Sequence, residues 1–273
     1  MSILKSFDQT TIHYEIDEAE DTKAIAVIVH GFGDHCGRYT QFAQLLNTWS
    51  ITCYRFDYRG HGRSEGKRGH CMQFSDYLQD VNCVIQQVQH DYPHHKKFLL
   101  AHSHGGLVAL HSLAQNQSFW QAAVLSSPFF GIELEVPMWK RFAGNALSKI
   151  MPTFQMPTDV DPSWVSHDEA VVQGYAEDPL IGRVATARWF TEAIQAHQQA
   201  PQAASQVHIP LLLQAAGTDY LVSLDATRKV FDSLASADQQ MIVYDDLLHE
   251  IWFEKDKQQV LQDLQSFLTR FIE

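Results

Sequence analysis

Short apolar runs alternate with helical patterns along most of this chain, and that rhythm leaves few folds open. Ser2–Phe7 and Thr11–Ile16, with Asp8-Gln9 between them, read as a hairpin. Strands are then predicted at Ala24–Val29, Ile51–Phe56, Lys97–Ala101 and Gln121–Ser126. Helical patterns fill the intervals at Arg38–Trp49, Phe74–Asp91 and about Gly105 to Asn116. Strands alternating with helices cannot pair as neighbouring hairpins, so each crossover returns the chain to a mostly parallel sheet with helices on both faces.

The rhythm stops at Pro128 and resumes at Pro210 with strand Leu211–Ala215, helix Leu224–Leu234, strand Gln240–Tyr244 and helix Lys257–Phe271. Between Pro128 and Pro201 no clear strand is visible, and prolines recur at 137, 152, 157, 162 and 179. The expected fold class is therefore α/β, with about eight strands and helices on both faces. Residues 1–127 and 202–273 form the core, and residues 128–201 form a helical cap inserted after the sixth strand. An insertion at the C-terminal ends of the strands lies where such folds bind ligands.

The formal net charge of −12 would repel a nucleic-acid backbone and gives no general attraction to anionic lipid. No apolar run approaches the ~18 residues that would suggest a transmembrane helix. The opening MSILKSFDQTTIHYE lacks an apolar h-region and a small-residue cleavage site. Cys36, Cys53, Cys71 and Cys83 form no C-x-x-C pair and are expected as reduced thiols. Together these features give a cytoplasmic expectation, with no obligate protein partner evident.

The most informative segment is Phe98-Leu99-Leu100-Ala101-His102-Ser103-His104-Gly105-Gly106-Leu107, a strand running directly into a helix with serine at the corner. A sharp strand-to-helix turn exposes a serine hydroxyl above the sheet edge, and small neighbours let the turn close. Gly105 is one such neighbour, and Ala101 stands where the G-x-S-x-G pattern has its first glycine. The competing reading is an ordinary loop with a helix-capping serine. His102 and His104 spell H-x-H, but Gly105-Gly106 follows where a zinc cluster would continue with further ligands, so no metal and no cofactor is expected.

His30-Gly31-Phe32-Gly33 follows the first parallel strand. Acyl transfer builds negative charge on a carbonyl oxygen, and fixed backbone N–H donors stabilise it. The residue after the nucleophile supplies one donor, here His104, and the loop after strand three supplies the other, here Phe32. A tight glycine turn without a role is the alternative.

These motifs resemble the monoglyceride lipase and bacterial lysophospholipase group of α/β-hydrolases. The resemblance rests on His30-Gly31-Phe32-Gly33-Asp34-His35, Gly37-Arg38-Tyr39, the stretch from Asp57 to Gly66 (DYRGHGRSEG), the Ser103 turn, Gly217-Thr218-Asp219-Tyr220-Leu221-Val222 and Leu248-His249-Glu250. It covers about residues 24–270 in family order and is weak from Pro128 to Pro201. It departs from the family at Ala101 and at His104, where the family has methionine. In this fold the order is serine, acid, histidine. Asp219 follows the strand Leu211–Ala215 and His249 follows the strand Gln240–Tyr244, so both reach the edge where Ser103 stands. The resemblance selects the same two residues. It also implies that Asp34 and Arg38 face the polar head of the leaving alcohol. A surface pair or helix-terminal charges would explain those two equally well. The loop Arg59-Gly60-His61-Gly62 reads as a brace for the oxyanion turn, since the triad is complete without it.

Within the insertion, Val136–Met151 reads as an amphipathic helix with Trp139, Phe142, Ala143, Ala146, Leu147 and Ile150 on one face and Lys140, Arg141 and Lys149 nearby. Its apolar face either covers the site or serves as a lid that touches lipid transiently and admits an acyl chain past Trp139 and Phe142. A lid of the second kind would bring a cytoplasmic protein to a membrane surface. The expected activity is a serine-dependent carboxylic ester hydrolase acting through an acyl-enzyme on a single-chain lipid such as monoacylglycerol or lysophospholipid. The rivals are a hydrolase for short esters, an aminopeptidase of the proline iminopeptidase type, and a non-catalytic binding module.

Overall fold

The alternation becomes an eight-stranded sheet in the computed structural model, which describes residues 2–133, 144 and 146–272. The strands are β1 (Ser2–Lys5), β2 (Thr11–Asp17), β3 (Ala24–Val29), β4 (Ile51–Phe56), β5 (Lys96–His102), β6 (Ala122–Ser126), β9 (Leu211–Ala216) and β10 (Gln239–Tyr244), in the order β1-β2-β4-β3-β5-β6-β9-β10. The hairpin β1–β2 and the pair β2–β4 are antiparallel, and every pair from β4 to β10 is parallel.

Residues along each central strand alternate between two cores, as the two-residue period of a strand requires. Ile25, Val27 and Val29 of β3 face one core with Leu99, Ala101, Ala123 and Leu125. Helices α2 (Ser75–Asp91), α3 (His104–Gln115) and α5 (Ala187–Ala204) pack there through Val81, Leu107, Leu110 and Ala196, among others. Ala24, Ala26 and Ile28 face the other core with Phe98, Leu100 and Val124. There α1 (Thr40–Asn47) and α7 (Gln258–Thr269) bury Phe42, Leu46, Leu264 and Phe267. Helix α6 (Leu224–Phe231) adds Val230 to the first core. Because both faces are covered, the parallel strands read as continuous apolar runs.

The expected helix over Arg38–Trp49 is in two pieces, a 3₁₀ turn at Cys36–Tyr39 and then α1. The His35 side chain caps the first by accepting the Gly37 N–H. The insertion contains a short antiparallel pair, β7 (Gln155–Pro157) with β8 (Val184–Thr186), besides α4 (Glu169–Glu177). Strands of three residues are too short for a two-residue period to register in sequence. The division between residues 201 and 202 falls inside α5, which runs through Pro201 to Ala204. Packing overrides the proline, since Ala196, Ala200, Ala203 and Ala204 all lie in the first core.

Of the amphipathic helix expected at Val136–Met151, Trp139, Phe142 and Ala143 lie outside the described residues. Residues 146–150 are helical. Among the described residues of this stretch Gly144 and Ser148 are buried, while Ile150 of the expected face is 80% exposed. Small residues settle this turn on α5: Ser148 Oγ lies 2.8 Å from Thr191 Oγ1.

The chain crosses from β3 to β4 on one side and from β4 to β5 on the other, so β3 and β5 are neighbours at the reversal. A crevice opens at the C-terminal ends of strands at such a point. The loops after β3, β5, β9 and β10 all emerge on that edge.

Candidate active site

Ser103 is the single residue between β5 and α3, and its backbone is left-handed at φ 53°, ψ −121°. An L-residue held there costs on the order of 1–3 kcal/mol and persists only where its surroundings impose it. Here the Ser103 N–H donates to the Ser126 carbonyl at 2.9 Å, and the Ser103 carbonyl accepts from Phe129 N at 2.9 Å. Gly105 makes the turn sterically feasible, because a Cβ at that position would sit 2.4 Å from the Val29 carbonyl oxygen. Ala101 is accommodated with no exposed surface, so the departure from a first glycine leaves the elbow intact.

The structure brings Ser103, His249 and Asp219 together. Ser103 Oγ donates to His249 Nε2 at 2.9 Å, and His249 Nδ1 donates to Asp219 Oδ2 at 2.7 Å. The other oxygen of Asp219 accepts from the Leu221 and Val222 amides at 2.8 and 2.9 Å, which aims the carboxylate at the imidazole. Burial alone would lower the pKa of His249, but the surrounding carboxylates, Asp219 first and then Glu250 and Asp34, together outweigh it and hold the pKa above the ordinary histidine value. The imidazolium that forms when a serine proton is taken is thereby stabilised. The His102 ring lies 4.8 Å from the His249 ring, tilted by 55°, and is kept neutral by its own burial.

The turn after β3 stands against the serine: a Cβ on Gly31 would lie 3.3 Å from Ser103 Cβ. Phe32 follows Gly31, and His104 opens α3, where the first N–H groups have no intrahelical acceptor and the helix dipole favours negative charge. Both backbone donors expected from the sequence therefore belong to segments that meet at Ser103.

Asp34 and Arg38 are also together, but neither is a surface pair. Asp34 is 4% exposed, and its oxygens accept from His35 N, Arg38 Nη1 and Tyr39 Oη at 2.8, 3.3 and 3.0 Å. Arg38 forms a bidentate pair with Glu250, the residue after His249, at 2.7 and 2.6 Å. The guanidinium lies between the rings of Tyr175 and Phe253. Their polar atoms serve one another and the His249 loop. Trp139 and Phe142 lie outside the described residues. His102 and His104 do not converge on a ligand site: Nδ1 of the first meets Ser126 Oγ and Nδ1 of the second meets Tyr58 Oη.

The loop at Asp57–Gly66 is a brace. Asp57 accepts from Cys36 N and Arg63 N at 2.6 and 2.8 Å, and Arg59 pairs with the buried Asp80 at 2.9 and 2.7 Å. His61 meets the Phe32 ring edge-on at 5.1 Å, and burial pushes its pKa down to about 3.

Residues that sequence reasoning missed come from long-range packing. Trp189 of α5 stacks on Phe32 at 3.7 Å, and Glu254, fully buried, accepts from Leu248 N, His167 N and Ser166 Oγ. Glu254 thus pins the His249 loop to the insertion. No local pattern marks either residue.

Comparison with known proteins follows the same lines. The family described as "Serine aminopeptidase, S33" matches residues 20–256. A monoacylglycerol lipase of Mycolicibacterium smegmatis is 30% identical over 250 residues, covering 91% of this chain and 89% of that protein. Phospholipase YtpA of Bacillus subtilis is 28% identical, covering 93% of this chain and 98% of the relative. Among solved structures, a Paleococcus ferrophilus monoacylglycerol lipase superposes with a TM-score of 0.87 at 24% identity, covering 95% and 99% of the two chains. That superposition shows the α/β-hydrolase fold.

Proposed function

The chain belongs to the serine aminopeptidase S33 family of α/β-hydrolases, and from that premise we propose that it is a carboxylic ester hydrolase acting through an acyl-enzyme on single-chain lipid esters. The observation that carries the reading is the hydrogen-bonded line from Ser103 Oγ through His249 to Asp219. His249 takes the serine proton as Oγ attacks the ester carbonyl. The carbonyl oxygen becomes an oxyanion, held by the N–H groups of Phe32 and His104. Collapse expels the alcohol, which receives the proton from His249 and leaves acyl-Ser103. Water, deprotonated by His249, attacks the acyl-enzyme and releases the fatty acid with Ser103 regenerated. No step calls for a metal or cofactor.

Lipid esters are favoured over short esters because the relatives named above are a monoacylglycerol lipase and a phospholipase. Ile150, Met151 and Phe154 add an exposed apolar strip on the insertion, at 80, 52 and 43% exposure. We read this strip as a site of transient contact with a lipid surface, on the insertion of residues 128–201 that we take as the cap. No helix among the described residues is long and apolar enough to cross a membrane.

The test is kcat/KM for butanoyl, decanoyl and hexadecanoyl monoacylglycerol below their micellar thresholds, followed by a diacyl lipid and an aminoacyl amide. Each methylene moved into an apolar passage is worth roughly 0.8 kcal/mol before ordering costs, so a rising series is expected. A flat or falling series would favour a short-ester hydrolase, and turnover of the amide alone would favour an aminopeptidase.

A further inference from the structure

Tyr58 lies outside the Ser103–His249–Asp219 line, yet its hydroxyl touches the backbone of the oxyanion turn. Tyr58 Oη donates to the Gly31 carbonyl at 2.7 Å and stands 3.1 Å from His104 Nδ1. A phenol has one proton, and the shorter contact takes it, so Nδ1 of His104 is the donor to Oη. The Gly31 carbonyl also accepts from His30 Nδ1 at 2.7 Å and from Asp34 N at 3.4 Å.

That carbonyl belongs to the same peptide group as the Phe32 N–H. A trans peptide is planar, and its C=O and N–H point in opposite directions. Three donors that fix the oxygen on the buried side therefore fix the direction of the N–H on the other. Hydrogen bonds to a peptide oxygen also polarise the group and strengthen its N–H as a donor. Tyr58 is suited to holding one geometry: it has no exposed surface, its ring stacks on His30 at 4.1 Å, and it meets the rings of His61 and Tyr77 edge-on at 4.4 and 5.0 Å. His104 is buried as completely, and desolvation keeps it neutral.

We infer that Tyr58 is a positioning residue for ester hydrolysis: its hydroxyl orients and polarises the Gly31–Phe32 peptide and ties it to the side chain of His104, whose own backbone N–H is the second oxyanion donor. This rests on the serine-hydrolase reading above. It assigns a use to the histidine that stands after the nucleophile. The two halves of the oxyanion hole come from loops 72 residues apart in sequence (104 minus 32), and one hydroxyl bridges them.

The experiment is Tyr58→Phe, which keeps the ring and removes only the hydroxyl. Active sites are counted with a fluorophosphonate, and turnover is expressed per labelled site on a p-nitrophenyl ester. Loss of an interaction that strengthens only in the transition state lowers kcat and leaves KM. The expected fall in per-site kcat is about tenfold, less than the 10²–10³ of a deleted donor, with KM held within about twofold. Per-site kcat within about twofold of wild type overturns the inference, and so does a lower labelled fraction turning over at the full per-site rate, which is the signature of a packing role alone. Where Tyr58→Phe does not fold, His104→Leu reports in its place. It removes the Nδ1 partner and is expected to lower per-site kcat about threefold, and an unchanged value overturns the inference. Wild-type protein that no fluorophosphonate labels would bring down the serine-hydrolase reading itself.

Discussion

Gly182 donates its backbone N–H to the carbonyl of Gly33 at 2.6 Å, joining the inserted segment to the turn beside Ser103. One residue pair nearby repeats the link, with His35 Nε2 and Asp178 Oδ2 2.9 Å apart. The Phe32–Trp189 stack makes a third contact. The oxyanion turn is therefore held by the hydrolase core on one side and by the insertion on the other. Gly33 itself adopts φ +73°, and a Cβ there would lie 2.4 Å from the Gly182 carbonyl oxygen.

Gly33→Ala is accordingly expected to damage catalysis more than folding. The new methyl must displace either the turn or the insertion, and a displaced turn moves the Phe32 N–H away from the developing oxyanion. Loss of one such donor costs on the order of 10²–10³ in kcat. Circular dichroism should stay native while turnover on a p-nitrophenyl ester falls by that amount. A variant with near-native kcat would show that the turn does not need its present geometry.

Ser103→Ala should remove nearly all hydrolysis, on the order of 10⁶-fold in turnover. The strained φ of 53° is imposed by the fold and stays in the mutant, so the melting temperature should change little. Turnover above about a tenth of wild type would assign the nucleophile elsewhere.

The pH dependence follows from the sign of the shift at His249. The base must be neutral to accept the serine proton, so kcat/KM should be lost as pH falls through a pKa above the usual histidine value. Asp219→Asn removes the first of the charges that raise this pKa and leaves burial, which lowers it. The acid limb of the residual activity should then move to lower pH, along with a large loss of kcat. A limb that stays in place in Asp219→Asn would mean that another group titrates. The same shift affects stability with the opposite sense. A histidine with a raised folded-state pKa stabilises the fold below its unfolded pKa, and that contribution is lost as pH rises through the folded value.

Arg38 offers a test that separates head-group recognition from internal support. Removing one partner of a buried pair leaves uncompensated charge, here on both Asp34 and Glu250. Arg38→Met is expected to cost about 3 kcal/mol, or a melting temperature lower by roughly 6–12 °C. Glu250 also helps to raise the pKa of His249, so freeing it from Arg38 should move the acid limb to higher pH. Unchanged stability with a raised KM for monoacylglycerol alone would instead return Arg38 to the head group.

The strands were legible because they are buried on both faces. Ala24–Val29 and Ile51–Phe56 have no exposed residue to blur their limits, and each was readable to the residue. Ser103, Asp219 and His249 were legible because each sits in the loop or turn that follows a strand, at the sheet edge where the three loops meet. Tyr58, Trp189 and Glu254 were not, because their roles come from partners far along the chain. The phenol of Tyr58 looks like any core aromatic until Gly31 and His104 are seen on either side of it. The last turn of the helix expected in the insertion departs from its hydrophobic period for a related reason. Ile150 fits an apolar face by spacing, but Ser148 is what packs on Thr191.

That outward-turned strip supports the last prediction. Ile150, Met151 and Phe154 are three large apolar side chains within five residues, in a protein of net charge −12. Anionic lipid would repel the protein as a whole, so zwitterionic vesicles are the appropriate surface. Fully burying an aliphatic or aromatic side chain gains about 2 kcal/mol, and half-burial of three gives about 3 kcal/mol, or on the order of a hundredfold in partitioning. The triple variant Ile150→Ser/Met151→Ser/Phe154→Ser should therefore bind such vesicles far less. It should hydrolyse vesicle-borne monoacylglycerol more slowly, while a water-soluble butanoyl ester reacts at the wild-type rate because Ser103, His249 and Asp219 are untouched. Equal losses on both substrates would place the strip in the folding or closure of the insertion. Equal activity on both would leave the exposed side chains without a part in reaching lipid.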